Sequence, residues 1–388
     1  MRIMMTTVFD YPHTGGLSTH VATLKAGLEE LGHEVDVVSF TDVPDAKKQV
    51  ARGSSFLLNK VSKGKGIIAG HRVRQQLLEV LIKRKAEDKA YDIINAQDVY
   101  ASLASFKSGV PVVSTVHGYL AFEAVSRGAV SSNSKEAKHM QELEREVYRQ
   151  TRRPITVDQR IKDYIQELAG VEGERIYNFI NVDQFQPQVE RREELRASFG
   201  YDSDDVLLFI PRRMTRKNGV IFPAKALSLI HEKYPRVRLL YAGSGEEEQN
   251  IRDIARETGV EDHVHFLGNI PHETMKDYYA MSNATLIPSI HSEGVEEATS
   301  ISALEGMGAG VPVVASGIGG LKELIDDGEN GLLVEEQSPE AIRDAVFRII
   351  EQPEEGEQMA KAARALIEEN YSHHAAAEKF AKIYESVL

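Results

Sequence analysis

Residues Glu297–Ser316 read EATSISALEGMGAGVPVVAS. Ile301–Ala309 is a run of small and apolar residues that reads as a short buried helix, and the β-branched run Val311–Ala315 follows as a strand. The same alternation extends in both directions. Upstream lie strand patterns at Val206–Pro211, Arg236–Ala242, His263–Leu267 and Ala284–Pro288, separated by helical patterns at Val220–Tyr234, Glu246–Glu257 and His272–Ala280. An earlier series places strands at Arg2–Phe9, Glu34–Phe40, Tyr91–Asn95 and Pro111–Val116, with weaker ones near Ile155 and Ile176–Ile180 and helices at Leu17–Leu31 and Val73–Lys89. Two helical segments close the chain, Ser338–Glu351, with Ser338 as N-cap and Pro339 in the first turn, and Glu354–Leu388, interrupted near Tyr371–Ser372. Strands alternating with helices predict an α/β protein with parallel sheets. The polar, turn-rich stretch Asn181–Asp204 reads as the boundary between two Rossmann-like domains, 1–185 and 186–370, facing each other across a cleft.

Composition agrees with this and excludes several classes. At about 150 residues per domain, 388 residues suit two domains, and 42% hydrophobic residues are enough for two cores. Lys and Arg number 46 against 59 Asp and Glu, a net charge of −13 that disfavours nucleic acid as a partner. The absence of cysteine removes disulfides, thiol nucleophiles and Cys-ligated zinc, and it suits a reducing, cytoplasmic setting. Met1–Phe9 reads as a first strand rather than a targeting signal, and no 18-residue stretch is apolar enough to span a membrane.

In open α/β sheets, ligands bind at the carboxyl ends of strands, so chemistry is expected in the loops there. Gly15 and Gly16 open the helix after the first strand, where backbone N–H groups can approach an anion; a tight turn is the plainer reading. Arg212 and Lys217, in PRRMTRKNG after Val206–Pro211, suit a diphosphate, although a solvated basic loop has the same composition. Glu297 and Glu305 flank seven residues. Ala298, Thr299, Ser300 and Ile301 would offer helix N–H groups to phosphate, and the carboxylates would accept from sugar hydroxyls. Ser302–Glu305 also matches a capping box, which would give Glu305 a structural role.

Taken together, HTGGLSTHV, STVHG, NFINVDQFQP, PRRMTRKNG, YAGSGEEE, HFLGNIPHE, EATSISALEGMGAGVPVVAS, GIGGLKELI and GENGLLV resemble a retaining glycosyltransferase of the GT-B fold, glycosyltransferase family 4. The resemblance covers essentially the whole chain. It implies hexose transfer from a nucleotide sugar, with UDP-sugar favoured, to the hydroxyl of a sugar or lipid-linked acceptor, and a last helix, 371–388, that packs back on the first domain. It assigns His117, Arg212, Lys217 and Glu297 to catalysis. Donor contacts fall to Gly15, Gly16, Gly268, Asn269, Ile270, Ala298, Thr299, Ser300, Ile301 and Glu305. Asn218 between Lys217 and Gly219 leaves Arg216 as an alternative to Lys217, and Ala298 stands where the family often has glycine. A non-catalytic nucleotide-sugar binder, or a hydrolase or epimerase acting on the donor alone, is the competing reading.

Other signals carry less. Gly243-Ser244-Gly245 lacks the third glycine of a dinucleotide fingerprint, and Asp202-Ser203-Asp204 precedes a strand and reads as a turn. Thirteen histidines show no metal-binding spacing, so no metal and no cofactor beyond the nucleotide-sugar co-substrate is expected. Between Ala46 and Lys85 eleven basic residues stand against Glu79 alone. Arg52–Gly70 reads there as a mobile basic loop; the functional alternative is contact with an anionic acceptor or membrane surface. His20, Lys60, Lys63 and Lys65 are the acceptor or membrane candidates.

Overall fold

The computed structural model describes residues 1–13, 15–49, 63–126, 128–292, 297 and 299–388. The chain divides into two compact units, Met1–Asn178 with His373–Leu388, and Phe179–Ser372. The first unit holds strands β1 Arg2–Thr6, β2 Glu34–Val38, β3 Ile93–Ala96, β4 Val112–Val116, β5 Pro154–Thr156 and β6 Glu174–Arg175. They form one parallel sheet in the order β2-β1-β3-β4-β5-β6. Its helices are α1 Gly16–Glu30, α2 Lys63–Asp88, α3 Val99–Ser105, α4 Leu120–Ser126, α5 Lys135–Gln150 and α6 Gln159–Ala169. Every residue of β3 and β4 is buried, as expected for parallel strands covered on both faces.

The second unit runs α7 Arg192–Ser198, β7 Val206–Ile210, α8 Ile221–His231, β8 Val237–Ala242, α9 Glu248–Glu257, β9 Val264–Gly268, α10 His272–Met281, β10 Ala284–Ile287, α11 Ile301–Gly308, β11 Val313–Ser316, α12 Gly319–Leu324, β12 Leu332–Val334, α13 Pro339–Glu351 and α14 Pro353–Asn370. Its sheet order, β9-β8-β7-β10-β11-β12, is the 3-2-1-4-5-6 order of a Rossmann fold counted from β7. An apolar core gathers Leu208, Tyr241, Leu286 and Val314 from the sheet with Leu227 and Val346 from the covering helices. The last helix, α15 His373–Val387, belongs to the first unit. Ser338 caps α13 by accepting from Ala341 N, with Pro339 in the first turn, as the sequence indicated.

Two expectations change. The stretch 181–204, read as polar and turn-rich, carries the helix α7, and the buried Arg196 donates to the Met281 carbonyl, the Ser203 carbonyl and Asn283 Oδ1. Its polar residues are spent on fixing that helix to α10 and β10 of the second unit. Of the basic loop read over Arg52–Gly70, residues 52–62 lie outside the described residues and the rest is helical from Lys63 onward. Three glycines suggested a loop there, but Gly64 is buried beside Val130, so tertiary packing overrides weak helix propensity. Among the described residues no helix is long and apolar enough to cross a membrane.

Candidate active site

Strand order in the second unit reverses between β7 and β10, so the loops leaving those strands diverge and open a crevice at their carboxyl ends. Arg212 lies two residues beyond β7, while Ser289 and Glu297 lie in the connection after β10. The two loops are tied together, since Ile290 N donates to the Lys217 carbonyl at 2.9 Å. Gly219 makes this approach possible: its φ is 61°, and a Cβ there would collide with the Pro288 carbonyl oxygen.

Arg212 organises the crevice. Its Nη2 donates to Glu297 Oε2 at 2.6 Å, Asn218 Oδ1 at 2.9 Å and Ser289 Oγ at 3.0 Å, while Nη1 donates to Ser300 Oγ at 2.9 Å. Ser289 Oγ in turn donates a hydrogen bond to the same Glu297 oxygen, 3.0 Å away. The Arg212 and Glu297 side chains are only 9% and 15% exposed. Burial opposes the charge on Glu297, but Arg212, then Lys217 and the Ser289 hydroxyl, outweigh it and hold the carboxyl below its usual value. Arg212 Nε is buried with no hydrogen-bond partner among the described residues. Lys217 is exposed beside this pair.

Glu305 faces a second polar group. Its Oε1 lies 2.8 Å from His272 Nε2, and its Oε2 accepts from Tyr279 Oη at 2.8 Å. The hydrogen bond to Glu305 raises the His272 pKa despite partial burial. Gln184 Nε2 approaches His272 Nδ1 at 3.3 Å and donates to its carbonyl. The capping-box reading fails here, because Ser302 lies inside α11 and its hydroxyl donates to the Pro211 carbonyl. Thr299 and Ser300 are buried at the start of α11, whose first residue is Ile301; Ala298 lies outside the described residues. The loops after β8 and β9 meet where Gly243 N donates to the Gly268 carbonyl and Ser244 Oγ to Asn269 Oδ1, with Ile270 half-buried beyond them.

In the first unit His117 follows β4, and its Nε2 lies 3.0 Å from Gln97 Oε1 at the end of β3. Burial pushes the His117 pKa down to about 4, so the ring is neutral near pH 7. The His20 ring packs edge-on against it, with centroids 4.5 Å apart at 84°. Gly15 precedes α1 and Gly16 is its first residue, with His13 N held by Ser18 Oγ at 3.0 Å.

The sequence profile described as "Glycosyl transferases group 1" matches residues 191–366, and the one described as "Glycosyltransferase Family 4" matches residues 14–184. An uncharacterized glycosyltransferase of Methanocaldococcus jannaschii is 28% identical over 401 residues, covering 100% of this chain and 99% of its own. Among solved structures, a sucrose-phosphate synthase from Thermosynechococcus elongatus aligns with a TM-score of 0.74 at 19% identity, over 100% of this chain and 98% of its own. The Anabaena protein HepE in complex with UDP-glucose aligns at 0.71 and 18% identity, over the full length of both. The chain is a group 1, family 4 glycosyltransferase.

The two Rossmann-like units are those of a GT-B glycosyltransferase, and sugar transfer is its chemistry. Within this glycosyltransferase several expected residues stand differently from their reading. His20, expected at an acceptor surface, is 1% exposed; burial, then His117, keep its pKa well below the ordinary value against a hydrogen bond with Asn178. It backs His117 instead of meeting an acceptor. Lys65 is exposed on α2, while Lys60 and the Lys63 side chain lie outside the described residues. Gly243 and Gly245 press on the backbone of Arg212 and Met214, where any Cβ would overlap carbonyl oxygens. The hydrogen-bond network around these side chains also includes residues to which the sequence reading gave no role: Asn218, Ser289, His272, Tyr279, Gln184 and Gln97. Ser289 could have been found as the first hydroxyl after β10; Asn218 becomes visible through its contact with Arg212, six residues away, and the others only through contacts 20 or more residues apart in sequence.

Proposed function

We propose that this glycosyltransferase moves a hexose from a nucleoside-diphosphate sugar to an acceptor hydroxyl with retention of configuration and without a catalytic metal. The observation that carries the reading is the largely buried Arg212–Glu297 pair at the switch point of the second sheet, with Lys217 exposed beside it and the Arg212 Nε–H directed at no described acceptor. Such a cluster supplies positive charge where a diphosphate departs, and a carboxylate oriented toward sugar hydroxyls. The anomeric C–O bond breaks first, its electron pair going to the leaving phosphate oxygen. Lys217, Arg212 and the N–H groups opening α11 would stabilise that charge. The acceptor oxygen then bonds to the anomeric carbon on the same face, and its proton passes to the leaving phosphate. His117, kept neutral by burial, would offer the sugar a hydrogen bond and no charge. Glu305 is assigned to the ribose hydroxyls. Uridine is favoured as the base because HepE was solved with UDP-glucose. The exposed Lys65 on α2 keeps contact with an anionic, lipid-linked acceptor within the reading.

A melting-temperature panel of nucleotides and nucleotide sugars identifies the donor, because a ligand that binds the folded state raises the midpoint. Proton NMR of the product then reads the anomeric configuration. An inverted product overturns retention, and loss of turnover on chelation at an unchanged melting temperature overturns the absence of a catalytic metal. Lys217→Ala is expected to lower turnover about 100-fold with a smaller change in donor affinity; unchanged turnover would remove Lys217 from the mechanism. Nucleotide release that does not depend on acceptor would favour hydrolysis instead.

A further inference from the structure

Three residues outside the proposed transfer site converge where the chain returns to the first unit. Glu30 closes α1, and His373 and His374 open α15. The two helices cross closely, since a Cβ on Gly27 would lie 2.6 Å from the His373 carbonyl oxygen. Gly27 and Glu30 are three residues apart and share one helix face, so the crossing that needs Gly27 also delivers the carboxylate to the histidines. Glu30 Oε2 lies 3.0 Å from His374 Nδ1 and 3.4 Å from His373 Nε2. One donor atom from each of the three residues lies within 4.8 Å of the others. The two imidazole rings are 3.9 Å apart at 37°.

Charge and distance decide what such a group can hold. Two imidazolium rings at this separation repel each other, and one carboxylate balances only one of them. Two neutral rings with a carboxylate form an N2O donor set suited to a first-row transition dication. With bonds of about 2.0–2.2 Å, donors around a tetrahedral ion stand about 3.3 Å apart, close to the separations from Glu30 Oε2. The carbonyls ending α1 favour a cation and the N–H groups opening α15 oppose it, so the Glu30 carboxylate supplies the charge that decides. His373 is fully buried, while the His374 and Glu30 side chains are 51% and 46% exposed, leaving a solvent approach for the ion and a fourth ligand.

We propose that Glu30, His373 and His374 bind one Zn2+-like ion, which pins the returning helix α15 to the end of α1. At 1.5 Å per residue Glu30 stands about 20 Å along α1 from Gly16, so the ion serves the fold and takes no part in donor contacts there. The inference is independent of the donor and of the stereochemistry of transfer. The sequence hid this site because adjacent histidines match no metal spacing and the carboxylate comes from the other end of the chain.

The test uses the full-length chain, without a histidine tag and stripped with chelator. Zn2+ alone is titrated against a chromophoric competitor, and Co2+ replaces it to read the ligand field by visible absorption. One equivalent is expected to bind, to raise the melting temperature with increasing free Zn2+, and to give a tetrahedral or five-coordinate Co2+ spectrum. His374→Ala and Glu30→Gln alter half-exposed side chains and are each expected to weaken binding about tenfold or more, while His139→Ala, on exposed α5 surface, leaves it unchanged. Absence of stoichiometric binding, or binding that survives both substitutions, overturns the proposal. Because His373 is buried, its replacement is judged only beside a melting curve.

Discussion

Arg212 spends four hydrogen bonds on holding Glu297, Ser289, Asn218 and Ser300, which makes it both a frame and a charge. Breaking a buried ion pair from one side strands the other charge, at about 3–5 kcal/mol. Glu297→Gln is therefore expected to lower the melting temperature as well as kcat/KM, the latter by about 100-fold. The pH dependence separates the two effects. The Glu297 pKa is held below 4.5 in the fold, so the pair contributes fully above pH 4.5 and loses its contribution as pH falls through the folded value. Melting midpoints between pH 3 and 6 should fall more steeply for the natural chain than for Glu297→Gln. Parallel curves would mean that Glu297 is not ionised in the fold. At this scale the sequence was informative about charged residues and poor about their partners. Arg212, Glu297 and Glu305 stood out by type and spacing, whereas Asn218 and Ser289 are ordinary residues that matter because a sheet carries their loops together. His117 illustrates a further gap, since its neutrality comes from burial, which no motif encodes.

Elements carry the site by fixing where loops begin. Glu144 on α5 accepts from Leu120 N, the first residue of α4, and from Tyr164 Oη on α6, so it ties three helices beside the His117 loop. Burial raises its pKa to about 7 despite those donors. The fold thus prefers the protonated acid: stability decreases as pH rises from about 4.5, where the unfolded chain ionises, to about 7, and is level above that. Glu144→Gln mimics the neutral form and is expected to flatten this slope in melting curves between pH 5 and 8; a slope equal to that of the natural chain would contradict it. In the second unit the joint between the β7 and β10 loops is Gly219. Gly219→Ala combines a left-handed φ with backbone overlap and is expected to cost roughly 2 kcal/mol or more. Nucleotide binding should weaken with it, measurable by titration calorimetry; a folded variant with unchanged affinity would show that the two loops act separately. Element types were legible wherever β-branched runs alternate with helical patterns, as at β7 and α13. They were illegible where packing overrides composition, as in the glycine-rich start of α2 and the polar stretch that forms α7.

The whole molecule is threaded so that its last residues complete its first unit. The return of the final helix was implied by resemblance to a family; no local pattern in 373–388 says which sheet it will cover. In the structure α15 buries Phe380 and Tyr384 completely, and Asn95 Nδ2 on β3 donates to Tyr384 Oη at 2.6 Å across a sequence separation of 289 residues. Two buried aromatic side chains contribute about 3–6 kcal/mol, comparable with the lower end of a domain's net stability of about 5–15 kcal/mol. The last helix is therefore a substantial part of the first unit's core, and Phe380 also backs His20, which packs against His117. Tyr384→Phe leaves the buried Asn95 amide N–H unpaired while Thr115 Oγ1 still occupies its oxygen, a loss of about 1–3 kcal/mol. Hydrogen exchange read by mass spectrometry should then quicken throughout Met1–Asn178 and His373–Leu388 and stay unchanged in Phe179–Ser372. Equal loss of protection in both units would mean that they unfold as one body and that the C-terminal helix stabilises the entire chain.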